Sequence, residues 1–324
     1  MRFALSEDQR DFGAALDSLL ASSDPVPVAC AWAAGDTAPG LKLWSRLAEL
    51  GVSALVVPES AGGTGAGPVE LVVAFEQLGR HAVPGPWVES AAYLPTLLTD
   101  NSLLQRLAEG AVATVAVAPH TPYALDAGAA SLVLAVTGAD VRIGSIGEPV
   151  RSVDRTRHLF PVEPGRVVDV SHAAGPAFDL AALATAAQLL GCGERLLADS
   201  VAYVKQRRQF GREIGSYQAI KHRLADVRIA LDFARPLLWG AAVGSPGSSE
   251  LRARDVSAAK VACADAAYRA SRAALQVHGA VGYTQELDLS LWITKVRALV
   301  GAWGTPAFHR ARVLDSLVST NEVG

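Results

Sequence analysis

Arg207, Gln209, Phe210 and Gln218 lie within one short polar stretch and carry groups that suit an anionic, planar ligand. A guanidinium offers a fork of N–H donors to phosphate oxygens, amides pair with polar edges, and a phenyl ring stacks. The same residues also describe a solvated corner, because an Arg-Arg turn needs no ligand to stay in water. What holds them is legible on both sides. Upstream, Leu189, Leu190, Leu196, Leu197, Val201 and Val204 share one helical face. Downstream, Tyr217, Ile220, Leu224, Val227, Leu231, Ala234 and Leu238 recur at steps of 3 and 4. The spacing predicts two amphipathic helices joined by a glycine-bearing turn that presents the four side chains.

A chain of 324 residues, 50% of them hydrophobic, can bury large cores and exceeds the usual size of one domain. Two or three packed units are expected. The net charge of −3 gives no broad attraction to nucleic acid or to an anionic membrane, so neither is expected as a partner. Cys30, Cys192 and Cys263 are odd in number and widely spaced in apolar surroundings, which predicts reduced core thiols in a cytoplasmic protein. The N-terminal residues lack a cationic segment leading into an apolar one, and no apolar run reaches the roughly 18 residues that span a bilayer.

Ser6 with Gln9 is a capping-box signature for a first helix reaching about Leu20. Residues 23–40, rich in Pro, Gly and Ala, read as a connection. A second helix is expected around Leu41 to Leu50 and another from about Pro68 to Leu78. Pro84 and Pro86 then break the chain before a further helical stretch to Leu107. From Ala111 the texture changes to short β-branched runs separated by Gly, Pro and Asp, a β-unit ending near Ser171. Asp179 reads as an N-cap, and the rest as a four-helix bundle. Its third long helix carries the small-residue stripe Val256, Ala259, Cys263, Ala266, Ala270, Ala273 and Val277. A Thr305-Pro306 start opens the last helix, with Ala307, Ala311, Leu314 and Val318 expected inward. The fold class is thus mainly α with a small central β-unit: an N-terminal helical domain over 1–110, a reduced β-domain over 111–172 and a bundle over 173–324.

Arg207 to Gly211, reading RRQFG, the Tyr217-Gln218 pair, and Gln276 to Tyr283, reading QVHGAVGY, resemble the C-terminal domain of acyl-CoA dehydrogenases in their order. Leu50 to Arg80, with Pro58-Glu59 and Gly62-Gly63, resembles that family's N-terminal helix-loop-helix segment. The resemblance fails in the middle. The family's β-domain is about twice as long and carries Thr-Glu-Pro-type and Trp-Ile-Thr-type motifs that hold the flavin ring, and neither stands between Ala111 and Ser171. The triplet at Trp292 to Thr294 lies in the C-terminal helical region and is a chance match.

The family removes an α-proton from an acyl-CoA thioester with a carboxylate while the β-hydrogen leaves as hydride to the flavin. Aligning Gly304-Thr305 with the family's Tyr-Glu-Gly-Thr-like motif puts Trp303 at the base position, and the alternative position falls at about Ala182. Neither is a carboxylate, so no catalytic residue is assigned. Glu286 and Asp288 are nearby acids better read as structural, His278 as a hydrogen-bonded structural residue, and Asp226 as a helix-surface partner. The resemblance implies FAD as cofactor, with Arg207, Gln209, Phe210, Tyr217, Gln218, Gln276, Gly279 and Ala280 contacting its adenine-diphosphate side in a neighbouring subunit. Glycines in the 276–283 loop suit close backbone approach to phosphate; Ala280 departs from the more usual second Gly.

Taken together, these features resemble the short non-catalytic subunit of a heteromeric acyl-CoA dehydrogenase of bacterial steroid catabolism. The implied partners are a catalytic chain in a heterotetramer, an acyl-CoA substrate of bulky type, and electron-transfer flavoprotein as acceptor. An autonomous dehydrogenase or flavin monooxygenase with an unrecognised base, and a scaffold binding no nucleotide, are the alternatives.

Overall fold

The structure, a computed structural model, describes residues 4–138, 140–168, 174–244, 249–279 and 287–321. It is mainly α-helical with a small sheet. The first helix, α1 (Glu7–Ser22), starts on the expected capping box: the Ser6 hydroxyl accepts from the Gln9 N–H, and the Gln9 amide accepts from the Ser6 N–H. Then follow α2 (Pro25–Ala33), α3 (Ala38–Glu49), α4 (Pro68–Arg80), α5 (Leu94–Leu97) and α6 (Asn101–Ala108). The segment 23–40 is therefore not a simple connection. Pro25 supplies a pre-set first helical position, and Ala29 and Trp32 bury one face of α2.

A π-helical turn, Glu89–Tyr93, precedes α5. Pro95 has no N–H to return to Ala91, so the turn widens there.

Strands β1 (Ala113–Val117), β3 (Leu132–Thr137), β4 (Asp140–Ile146) and β6 (Val162–Val168) form a sheet in the order β1-β3-β4-β6. Its first pair is parallel and the others antiparallel. A separate pair joins β2 (Ala124–Leu125) to β5 (Leu159–Phe160).

Three long helices dominate the C-terminal half: α7 (Ala174–Gln206), α8 (Gln218–Val243) and α9 (Ser249–His278), with α10 (Ser290–Gly301) and α11 (Pro306–Asn321) beyond. The small-residue stripe of α9 is buried along its length, as its spacing predicts. Two expectations need correction. Helix α7 begins at Ala174, so Asp179 lies inside its second turn, buried and paired with Arg312 at 2.8 Å, rather than capping it. In α11, Ala307, Ala311, Leu314 and Val318 face outward, Leu314 being 60% exposed, while His309 is buried and Arg312 half-buried. The apolar period is present with opposite phase, because a polar network takes the inner face. Cys192 and Cys263 are buried thiols as expected; Cys30 is exposed instead, on the outer side of α2. No helix among the described residues is long and apolar enough to cross a membrane.

The N-terminal helices seat on the bundle where α4 crosses α7. A Cβ on Gly191 would lie 1.9 Å from the Glu76 carbonyl oxygen, and one on Gly79 would lie 2.1 Å from that of Gln188. The backbones touch, and the Cys192 thiol reaches the Gly79 carbonyl at 3.2 Å. Around this crossing the Arg235 guanidinium bridges Glu76 and Glu194, and Arg228 clamps Glu194 with two bonds of 2.7 and 2.8 Å. Burial works to raise the Glu194 carboxyl, but the two arginines outweigh it and hold it below its ordinary range. At Glu76 burial prevails over Arg235 and its carboxyl is raised.

Gly191→Ala has no route of relief, since the obstacle is backbone. It should cost at least about 2 kcal/mol, net of the ~1 kcal/mol that Ala gains over Gly in a helix. Denaturant unfolding of parent and variant checks this; an unchanged midpoint would mean the helices do not cross so closely.

Candidate functional site

The expected turn after α7 is a small hairpin, β7 (Arg208–Gln209) paired with β8 (Arg212–Glu213). It is tied to the helices at its base: the Arg207 N–H donates to the Tyr203 carbonyl at 2.9 Å, and the Ile214 N–H donates to the Arg207 carbonyl at 2.8 Å. At its tip Phe210 and Gly211 both adopt left-handed conformations, φ 53° and 81°. That geometry is strained for a phenylalanine, and the ring is 90% exposed.

Arg207, Arg208, Gln209, Arg212 and Gln218 are exposed as well. The Arg212 guanidinium lies 3.9 Å over the Tyr217 ring, and the Tyr217 hydroxyl donates to the Gln209 carbonyl at 3.4 Å. Arg207 makes no ion pair among the described residues. An uncovered aromatic ring beside three guanidiniums can stack and neutralise a flat anion.

The second motif stands at the same end of the bundle. His278, the last residue of α9, stacks on Tyr203 of α7 with centroids 4.1 Å apart, and its Nδ1 donates to the Ala274 carbonyl at 2.8 Å. It is buried, in keeping with a structural role. Gln276 is exposed, and Gly279, at φ 63°, has nothing within 4 Å of a Cβ position. Ala280 and Glu286 lie outside the described residues; Asp288 is exposed.

The interior differs sharply. Trp303, at the base position of the resemblance, is 1% exposed with φ 54°. Its ring packs against Tyr93 at 4.7 Å and Phe178 at 6.1 Å. Ala182 is buried in α7.

Near the indole lies the carboxyl of Glu89, which no motif in the sequence marks. Glu89 is 1% exposed, in the π-helical turn, and its Oε2 has no partner among the described residues. Burial pushes this carboxyl up, opposed by the charge of Arg157. The available signal was a lone acid among apolar residues, Trp87 to Leu94.

Glu89, Arg157, Gln188, Lys295 and Trp303 line a cavity of about 10 Å³. That is room for roughly one water. A tricyclic flavin ring does not fit it, whereas the hairpin residues stand in solvent. Among the described residues no group of three or more His, Cys, Asp or Glu could hold a metal.

The family models for the N-terminal and C-terminal domains of acyl-CoA dehydrogenase match residues 6–106 and 172–318. The acyl-CoA dehydrogenase IpdE2 of Mycolicibacterium smegmatis is 33% identical over 270 residues, covering 82% of this chain and 84% of that protein. IpdE2 of Mycobacterium tuberculosis is 32% identical over 261 residues, 78% and 79% of the two chains. Among solved structures, the steroid ACAD Tcur3481-Tcur3483 has a TM-score of 0.85 at 22% identity, covering 98% of this chain and 99% of its own. The ChsE4-ChsE5 complex from Mycobacterium tuberculosis has a TM-score of 0.79 at 22% identity, with the same coverages. Both share the fold.

The Glu89 carboxyl carries a test of the closed interior. Its folded pKa lies above its unfolded value, so its contribution to stability is complete below the unfolded pKa of about 4.3 and lost as pH rises through the folded one. Glu89→Gln should therefore raise the melting temperature at pH 7 and lose that advantage near pH 4. Equal melting shifts at both pH values would mean that Glu89 is solvated.

Proposed function

The chain belongs to the acyl-CoA dehydrogenase family, and on that premise we propose that it is the non-catalytic subunit of a heteromeric, FAD-dependent acyl-CoA dehydrogenase. The observation that carries this reading is Trp303, a buried indole where the family resemblance expects a carboxylate, above a cavity of about 10 Å³. The two-chain names Tcur3481-Tcur3483 and ChsE4-ChsE5 support a heteromer, and the first supports a steroid-derived or similarly bulky acyl group.

When bound, FAD supplies a hydride acceptor for the β-hydrogen of the thioester. This chain's residues act at the dinucleotide's other end. Arg207 neutralises phosphate, Phe210 and Tyr217 offer ring faces, and Gln209, Gln218 and Gln276 offer amides at one end of the bundle. Gly279, and Ala280 by resemblance, leave backbone open to phosphate. The partner chain provides the flavin seat, the base and the acyl pocket, and passes electrons to electron-transfer flavoprotein. In this reading residues 1–110, 111–172 and 173–324 are the three domains, four chains form the assembly, and the location is cytoplasmic.

A second reading, an autonomous enzyme with Glu89 as base, draws on that carboxyl's raised pKa; the lack of space beside it weighs against it. Co-expression with the neighbouring open reading frame, followed by sizing and a flavin spectrum, tests both readings. One flavin for every two chains is expected, and a fully flavinated assembly of this chain alone would overturn the proposal.

Arg207→Ala should weaken FAD retention in the assembly by about 1.5–3 kcal/mol, the worth of charge-assisted hydrogen bonds; unchanged occupancy would return the hairpin to a solvated corner. Trp303→Glu should add no turnover, since a base without a flavin ring above it has no hydride acceptor. A rise in flavin content or rate would show a second working site.

A further inference from the structure

Trp303 is held through its backbone. Its indole packs against Tyr93 at 4.7 Å, and its backbone carbonyl accepts from His309 Nε2 at 2.9 Å. A carbonyl can only accept, so the Nε2 of this imidazole carries the proton and Nδ1 is left to accept. Nδ1 lies 3.0 Å from the hydroxyl of Ser257 on α9. That same hydroxyl accepts from Arg312 Nη1 at 3.2 Å, and Arg312 Nη2 donates to Asp179 Oδ1 on α7 at 2.8 Å. Asp179, Arg312, Ser257 and His309 thus make one polar chain that ends on the Trp303 carbonyl, with every link of hydrogen-bonding length.

The backbone explains why a latch is needed. Trp303 and Gly304 are both left-handed, at φ 54° and 101°, reversing the chain between the end of α10 and the start of α11. A non-glycine residue does not settle in that conformation without support. A Cβ on Gly304 would lie 2.6 Å from His309 Nε2, so the imidazole presses on the reversal as well as bonding to it. Lys260, buried on α9, donates to the Leu299 and Val300 carbonyls at 3.1 Å each and fixes the last turn of α10 just upstream. A buried ion pair such as Asp179–Arg312 is not a cheap source of stability, whereas it does enforce one geometry.

We propose that His309 is a positioning residue: through its bond to the Trp303 carbonyl it locks the indole in the closed orientation and so keeps the interior of this chain shut to an acyl group or a flavin ring. The lock itself follows from geometry; its purpose rests on the reading of the chain as the silent partner. Closure is then a built feature and not merely the absence of a base.

Conservative variants separate the bond from bulk packing. In His309→Asn the amide matches the Nδ1 side and loses the reach to Trp303, while in His309→Gln the amide nitrogen takes the place of Nε2 and can still donate to the carbonyl. The full chain, in whatever assembly it purifies, is labelled with 5-fluorotryptophan, and the Trp303 resonance is assigned from Trp303→Phe.

The open, solvent-shifted population should rise about fivefold in His309→Asn, the effect of one neutral hydrogen bond, and stay within about twofold of the parent in His309→Gln. Should His309→Asn not fold, Ser257→Ala, which removes the hydroxyl that orients the imidazole, should give a rise of the same direction. A single buried resonance in the foldable variants would overturn the lock, as would equal opening in the Asn and Gln variants. The readout uses neither flavin nor turnover, so failure of the lock is distinguishable from failure of the silent-partner reading.

Discussion

Two backbones in contact, α4 on α7, set the position of everything else in this chain. Only glycine at 79 and 191 permits that approach, and the carbonyls of Glu76 and Gln188 occupy the space where side-chain carbons would be. Once the helices lie that close, Glu76 and Glu194 fall within reach of a shared Arg235, and the Arg80 carbonyl accepts from the Trp292 indole N–H at 3.0 Å. The same contact brings the π-helical turn against α7, and with it Glu89 and Tyr93 against Trp303. A small change in the crossing would therefore be felt at the closed interior and not only at the seam.

The molecule divides its chemistry by exposure. Around Trp303, packed by Tyr93 and Phe178, the described residues leave a cavity of about 10 Å³ with charged groups on its wall. At one end of the bundle the hairpin does the reverse, lifting Phe210 and three arginines into solvent on a two-residue ladder. Exposing an aromatic ring costs hydrophobic free energy, and holding it left-handed adds strain. Those costs are reasonable where another surface covers the ring.

Much of this was legible in the sequence, and the failures share a cause. The helices flanking the hairpin, the capping box at Ser6 and the buried stripe of α9 followed from period and cap residues, which are local signals. The family followed from ordered motifs at both ends. Helix α11 went wrong in phase: Ala307, Ala311, Leu314 and Val318 have the period of a core face, yet His309 and Arg312 turn inward because Ser257 and Asp179, distant in sequence, satisfy them. Asp179, a short acid before an apolar run, has the local look of a cap; its partner lies 133 residues away. Glu89 left no periodic trace at all. Polar groups paired across long separations are invisible to local pattern, and here they built the interior.

One of those long pairings bears on how the chain reaches its final state. Asp154 is fully buried, and the cation beside it is Lys295 at 3.5 Å, whose Nζ also donates to Thr156 and to the Val83 carbonyl. Lys295 joins the N-terminal helices, the β-unit and α10. Without that cation, burying Asp154 would strand a carboxylate without a counter-charge. The drying of Asp154 is therefore coupled to the docking of α10 beside it.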